Sequence, residues 1–371
     1  MSARGRSESA LQRQIRVFGP ELGTYASYRI PAVVKTGDSV LAFCEGRRNS
    51  AADSGDIDIV LRRSTDDGAS WGPLQVVCSG GRDETVGNPA PVVVPGSGAV
   101  VLLSVRNGAE VTEAEILRGR VDPDRSRRVF VQVSDDGGLS FDEPRDITAD
   151  TKLDTWGWYA TGPGHGIALT GTGRLVIPAN HSVTGVDGPR AYGAHCIYSD
   201  DGGRTWTIGF TDHNAGDESN ANENTVAELP DGRLYVNARN QNGRAAGTRL
   251  DAYSPDGGRT LTAPYQPQPT ISTPVVQGSL LQWPDGPLLY SGPANPGERR
   301  QLSIQGSSDA GRTWQLLHAF ADVPAAYSDL VQLDARHFGV LYETGDDGPY
   351  ESICFRQLEL TTLINDGQET L

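Results

Sequence analysis

Apolar residues in this chain come in short runs, each cut off by a polar turn and followed by another short run. Val33-Val34 leads through Thr36-Gly37-Asp38 to Val40 to Phe43, and Ile167 to Leu169 leads through Gly171-Thr172-Gly173 to Leu175 to Ile177. Val226 to Leu229 passes through Pro230-Asp231-Gly232 to Leu234 to Val236. Leu280 to Trp283 passes through Asp285-Gly286 to Leu288 to Tyr290. Runs this short, bounded by glycine, proline and aspartate, predict β-hairpins. Helical patterning is scarce. The best candidate is Thr112 to Arg120, a short helix inside a long insertion from Arg106 to Arg128.

A second rhythm overlies the first. Five segments share a Ser-x-Asp-x-Gly turn with a bulky apolar residue after it: Ser64 to Trp71, Ser134 to Phe141, Ser199 to Trp206, Ser254 to Leu261 and Ser307 to Trp314. Their starts lie 70, 65, 55 and 53 residues apart. The aspartate can close its own turn by accepting backbone N–H groups. The glycine supplies positive φ without strain. The terminal Trp, Phe or Leu fills apolar space between neighbouring sheets. Each hairpin is followed by another that carries the marked turn, which makes about four strands per unit, the make-up of a propeller blade. Five marked units and a C-terminal one from Ser328 to Leu358 predict an all-β, six-bladed β-propeller of four-stranded antiparallel blades. Residues 1–20 are expected to form an N-terminal polar segment, and residues 21–371 a single propeller.

Composition narrows the chemistry. The chain has 371 residues and a formal net charge of -15, a field that repels nucleic acid and anionic membrane. An anionic substrate would need a local cluster of cations working against that field. The four cysteines, Cys44, Cys78, Cys196 and Cys354, form no Cys-x-x-Cys pair and are expected to be buried thiols. The six histidines show no His-x-x-x-His spacing, so neither a zinc site nor a cofactor is expected. No stretch approaches the roughly 18 apolar residues of a membrane span. Met1 to Arg16 is polar and basic, without the apolar core of a signal peptide, so a cytoplasmic location is favoured over secretion.

Candidate site residues are charged groups that interrupt apolar strands. Arg29 opens the run Ile30 to Val33, Arg239 ends Leu234 to Ala238, and Arg299 stands before another strand. Three arginines at similar positions of different blades can converge on one carboxylate.

Tyr28-Arg29-Ile30-Pro31 together with the marked turns resembles the sialidase (exo-α-neuraminidase) family, in its bacterial and animal branch. The resemblance runs from about Tyr28 to Phe355. It takes in Glu45 to Arg48, Gly55 to Ser64, Gly87 to Pro91, Gly162 to Gly166, Asn222 to Asn224 and Ala326 to Leu330. It implies a retaining exo-glycosidase that releases terminal α-linked sialic acid from glycoproteins, glycolipids or oligosaccharides. Arg29, Arg239 and Arg299 match the triad that clamps the sugar carboxylate. Arg300 is a rival, but its spacing to Leu302 favours Arg299. Asp53 matches the acid/base, ahead of Asp56 and Asp58. Tyr327 matches the nucleophile, Glu223 its partner base, and Glu343 the acid that orients Arg29. Arg47 and Arg48 both fit a further arginine beside the sugar's 4-position.

The chemistry makes sense of a tyrosine. The anomeric carbon already bears a carboxylate, which would repel a second one, and sialidases depart from the usual carboxylate pair in this way. His165 and His181 are expected to be structural. Asn180-His181-Ser182 fits a glycosylation sequon. Asn180 and Ser182 stand where animal members carry tyrosines lining the glycerol and N-acyl pockets, which leaves the preferred sugar open. Transfer to a sugar acceptor, action on another ulosonic acid and non-catalytic glycan binding are the competing readings. The last predicts loss of Tyr327, Glu223 or Asp53, and all three are present.

Overall fold

The computed structural model describes residues 13–183, 192–212, 219–243 and 247–368. They form an all-β propeller. All four expected hairpins form, with Val34 opposite Leu41, Ile167 opposite Val176, Val226 opposite Val236 and Leu280 opposite Tyr290.

The strands hydrogen-bond into five sheets. One sheet runs Trp156–Thr161, Leu175–Val183, Tyr192–Ser199 and Thr207–Asp212, with Ile167–Ala168 added at its side. A second runs Ala221–Glu228, Leu234–Asn240, Thr248–Ser254 and Gln266–Ser272. A third runs Ser279–Gln282, Leu288–Pro293, Leu302–Ser307 and Gln315–Ala319. A fourth runs Ala325–Gln332, His337–Thr344 and Ser352–Glu359, and ends on Ile15–Phe18. The fifth has eight strands and two meanders, one from Ser27–Thr36 to Gln75–Cys78 and one from Glu84–Val93 to Arg145–Asp146. Six separate sheets were expected, and the hydrogen-bonded count is five. The reason is local: a parallel bridge between Ile57 and Thr85 joins the two meanders.

The first and last described strands meet in one sheet. Ile15 lies opposite Phe355 and Phe18 opposite Ile353, so the first described strand is the outermost strand beside the last. This strand falls inside the segment that was expected to lie outside the propeller. Its alternation of polar and apolar residues is too short to stand out, and its partner is more than 300 residues away.

The marked turns behave as their residue types predict. In the first, the Ser64 hydroxyl donates to Asp66 Oδ1 (2.7 Å) and accepts the Gly68 N–H (2.8 Å), while Asp66 Oδ1 accepts the Ser70 N–H (2.8 Å). The other four repeat this pattern at Asp136, Asp201, Asp256 and Asp309. Gly68 sits at φ 89°, and a Cβ there would run into the Phe355 ring of the neighbouring sheet. Trp71 packs edge-on against that same Phe355, with ring centroids 5.4 Å apart. The turn therefore both reverses the chain and docks one sheet on the next.

The insertion does carry a helix, Glu113–Leu117, with Thr112 and Glu115 forming a reciprocal capping box. A C-terminal helix, Leu360–Gln368, was not foreseen; Leu360 and Leu363 bury it against the core. All four cysteines are free and buried. Among the described residues, no helix is long and apolar enough to cross a membrane.

Near the middle, buried Asp329 ties together elements distant in sequence. Its Oδ2 accepts the N–H groups of Val33 (2.8 Å) and His165 (3.1 Å). Its Oδ1 accepts from the Ser279 hydroxyl (2.7 Å) and lies 2.8 Å from His165 Nδ1. Asp329→Asn turns an amide N–H toward one of these donors. We expect a loss of about 1–3 kcal/mol, the usual result of leaving buried polar groups unpaired. Urea unfolding checks this, and an unchanged midpoint would count against Asp329 as a tie between the sheets. His165 is held in this network, and His181 stacks on Trp156 with ring centroids 3.9 Å apart.

Candidate active site

A cavity of about 410 Å³ opens where the first strands of several meanders meet. Its walls include Arg29, Arg47, Asp53, Glu223, Arg239, Arg299 and Tyr327. Residues as far apart in sequence as 29 and 327 thus face one space. That volume lies within the range of small-molecule sites.

Backbone irregularities aim these side chains. The strand bearing Arg29 shifts register between Arg29 and Ala32, and the one bearing Tyr327 shifts between Ala325 and Ser328. The strands with Asn88 and Glu223 shift between Gly87 and Ala90 and between Ala221 and Asn224. Such bulges turn side chains out of the regular alternation and are common beside active sites. Ile30 shows the effect most clearly. It adopts φ 62°, a costly conformation for a β-branched residue, and its N–H is held by Glu343 Oε1 at 2.9 Å.

Glu343 itself is fully buried beneath the cavity. It accepts Arg29 Nε at 2.7 Å and Nη2 at 3.4 Å, together with the Tyr327 N–H at 3.2 Å. Burial lowers the Arg29 pKa, but Glu343 outweighs this and raises it, so Arg29 stays a cation. Arg239 Nη1 donates to Glu223 Oε2 (2.7 Å) and to Tyr327 Oη (3.0 Å). Arg299 donates to Tyr350 Oη (2.6 Å), and the Tyr350 ring lies 3.9 Å beneath the Arg29 guanidinium.

Tyr327 Oη donates to Glu223 Oε1 at 2.6 Å. Burial and the Glu223 carboxylate raise the phenol above its usual pKa, against the pull of Arg239, Arg29 and Arg299. At neutral pH it is a neutral phenol with its proton already pointed at a carboxylate.

Asp53 stands at the cavity mouth with its side chain 80% exposed, 2.7 Å from Arg47 Nη1. Partial burial raises its pKa, but Arg47 and Arg29 more than offset this and hold the carboxyl below the usual range. Arg47 is fixed from behind by Glu45 (2.7 Å) and by the Ala51 carbonyl (2.6 Å).

Not every expected residue reaches the cavity. Arg48 turns away to Asp58 (2.6 Å) and Asp56 (3.2 Å), so of the two neighbouring arginines it is Arg47 that faces the site. Alternation along the strand sends adjacent side chains to opposite faces. Asp58 is buried against Tyr25 and Arg48, which removes it as a rival to Asp53. Arg300 pairs with Asp322 outside the cavity, leaving Arg299 inside. Asn180 is only 1% exposed, so its sequon is not a surface acceptor.

Several lining residues escaped the sequence reading. Tyr350 lies in a polar turn where no pattern marks it. Arg127 ends the insertion, stacked 3.8 Å over the Trp158 ring. Glu113 comes from the insertion helix and accepts from Tyr192 Oη at 2.7 Å. Five arginines (29, 47, 127, 239 and 299) and four carboxylates (Glu45, Asp53, Glu113 and Glu223) line the cavity, a local cationic cluster within an acidic protein.

Known proteins resemble this chain along most of its length. A family profile described as BNR repeat-like domain matches residues 38–340. The exo-alpha-sialidase of Aspergillus fumigatus is 31% identical over 380 residues, covering 92% of this chain and 86% of that one. The sialidase of Micromonospora viridifaciens is 32% identical over 349 residues, covering 86% of this chain and 50% of its own length. Among solved structures, Hadza microbial sialidase Hz136 superposes with a TM-score of 0.78 at 28% identity, covering 92% of this chain and 67% of that one. With a family profile along most of the chain and an exo-alpha-sialidase aligned over nearly all of both sequences, the chain belongs to the sialidase family of glycoside hydrolases.

Proposed function

We propose that this protein removes terminal α-linked sialic acid from glycans by a two-step route that retains the anomeric configuration. The catalytic unit is residues 21–371 closed by Ile15–Phe18, counted as six blades by taking the eight-stranded sheet as two. Arg29, Arg239 and Arg299 clamp the sugar's carboxylate. Tyr327 attacks the anomeric carbon as Glu223 takes its proton, while Asp53 protonates the departing oxygen. In the second step Asp53 takes a proton from water, the water displaces the tyrosine oxygen, and Glu223 returns the proton to the phenol. Glu343 holds Arg29, and Arg47 holds Asp53.

The observation that carries this reading is the Tyr327–Glu223 hydrogen bond of 2.6 Å beside three arginines, two from strands of different sheets and Arg299 from the loop between two strands of a third. A phenol remains neutral until attack, so it can approach a carbon that bears a carboxylate. The arginines then favour the phenolate as it forms.

Asp53 provides the test. A carboxyl held below its usual range by Arg47 is protonated only in acid. Hydrolysis of a natural glycan should therefore rise as pH falls from neutrality, until the carboxyl is fully protonated. Asp53→Ala should lower kcat/KM on such a glycan by roughly 10²–10⁴-fold and on an aryl sialoside far less, because a good leaving group needs little protonation. Equal losses on both substrates would remove Asp53 from the acid role. No turnover of either by the unaltered protein would overturn the proposed activity.

A further inference from the structure

A second cavity, of about 430 Å³, opens outside the catalytic one, between the insertion and the start of the strand Trp156–Thr161. Among the described residues, Arg127 alone lines both. The second cavity holds donors that lack acceptors. Trp156 is 3% exposed, and its indole N–H has no hydrogen-bond partner. Arg128 gives its Nη2 to Glu84 (2.9 Å) and its Nη1 to Asp146 (3.7 Å), but its buried Nε donates to nothing. Lys152 is partly buried, and its Nζ donates to the Arg127 carbonyl at 2.7 Å. Among the described residues no carboxylate pairs with Lys152. Burial and the neighbouring Arg127 cation push its pKa down to about 8, the mark of a charge without a counter-charge.

The rest of the lining says what shape of ligand fits. Ile116, Val121, Pro123 and Leu153 supply apolar surface. Leu153 is 45% exposed, one of the few large apolar side chains left open to water. The one carboxylate of the lining, Asp154, is exposed. A cationic ligand would meet Lys152 and Arg127 head-on. A neutral apolar one would leave the indole, guanidinium and ammonium N–H groups unpaired, at the usual cost of buried polar atoms. A carboxylate brings only acceptors, about four lone pairs on two oxygens.

We propose that this cavity is a second ligand site, which takes a monocarboxylate with a compact apolar body. The carboxylate accepts from Lys152, which gains its missing counter-charge. The Trp156 and Arg128 N–H groups are the further donors of the same cavity. The apolar body covers Val121 and Leu153. The site stands apart from the sialidase reading, and neither depends on the other.

The test titrates the full chain with sodium benzoate at constant ionic strength and follows the indole N–H signal of Trp156 by NMR, assigned through its loss in Trp156→Phe. Benzamide, the same shape without the charge, is the comparison. Benzoate should move the signal saturably, in roughly the millimolar range expected of so few atoms, and bind at least about tenfold more tightly than benzamide. Lys152→Gln keeps a donor for the Arg127 carbonyl and removes only the charge. It should weaken benzoate about tenfold or more and leave benzamide within about twofold. Lys152→Met, which keeps the apolar stem, should do the same. Its Tm should hold or rise, because a desolvated cation is removed. The three arginines of the catalytic cavity also attract carboxylates, so Arg299→Ala is the control, and it should leave the benzoate shift of Trp156 as it is. No saturable shift would mean that the cavity holds water alone, and would overturn the site. Equal binding of benzoate and benzamide, or undiminished benzoate affinity in Lys152→Gln, would overturn it too. Loss of the shift in Arg299→Ala would place the benzoate in the catalytic cavity instead.

Discussion

Tyr327→Phe should lower kcat on an aryl sialoside by at least roughly 10²–10⁴-fold, the range spanned by positioned proton-transfer groups, since a bond-forming atom is lost as well. The variant removes one oxygen. The ring stays under the guanidiniums of Arg29 (5.4 Å) and Arg299 (5.7 Å) and within its cluster of Ile30, Val276 and Ala326. Glu223 keeps its 2.7 Å contact with Arg239. The fold should therefore survive, with stability within about 1 kcal/mol of the parent. What disappears is the atom proposed to bond to the sugar. Mass spectrometry of acid-quenched reactions should find a glycosyl adduct on the unaltered protein and none on the variant. Undiminished kcat would show that Tyr327 is not the nucleophile.

Glu343→Ala should cost about 3–5 kcal/mol in unfolding free energy, the penalty for breaking a buried ion pair from one side. The Arg29 side chain is 8% exposed and that of Glu343 is 0%, so the pair is shielded from bulk water. Two backbone donors, the N–H groups of Ile30 and Tyr327, lose their acceptor as well. The positive φ of Ile30, a strain of about 1–3 kcal/mol, would lose the bond that holds it. Any protein that still folds should show a raised KM, because Arg29 would no longer be aimed. Glu343→Gln keeps the volume and one acceptor, so about 1–3 kcal/mol is expected. Denaturant unfolding measures both, and a loss below about 0.5 kcal/mol for Glu343→Ala, the level of an ordinary surface change, would mean that Glu343 does not hold Arg29.

Much of the site was legible in the sequence because its residues break local patterns. Arg29 and Arg239 interrupt apolar strands, and Asp53 lies in a polar loop of a recognisable segment. The errors share a cause. Arg47 and Arg48 are neighbours, and only the strand's phase decides that Arg47 faces inward while Arg48 goes to Asp58. Tyr350 and Arg127 sit in unmarked stretches. They matter because of what surrounds them, such as the Arg29 guanidinium 3.9 Å from the Tyr350 ring.

By itself the sequence determined the propeller class and the turns that dock its sheets. Each marked turn is closed by a serine, an aspartate and a glycine within five residues, so the information is local and survives without a partner. The tertiary structure alone decided how many sheets hydrogen-bond together, where the strands bulge, and which charges meet. Those outcomes depend on contacts across the ring, such as Arg29 with Glu343 and Glu223 with Tyr327, between residues 314 and 104 positions apart. No periodicity in the chain encodes such distances. They follow from the register of strands that meet only once the ring has closed.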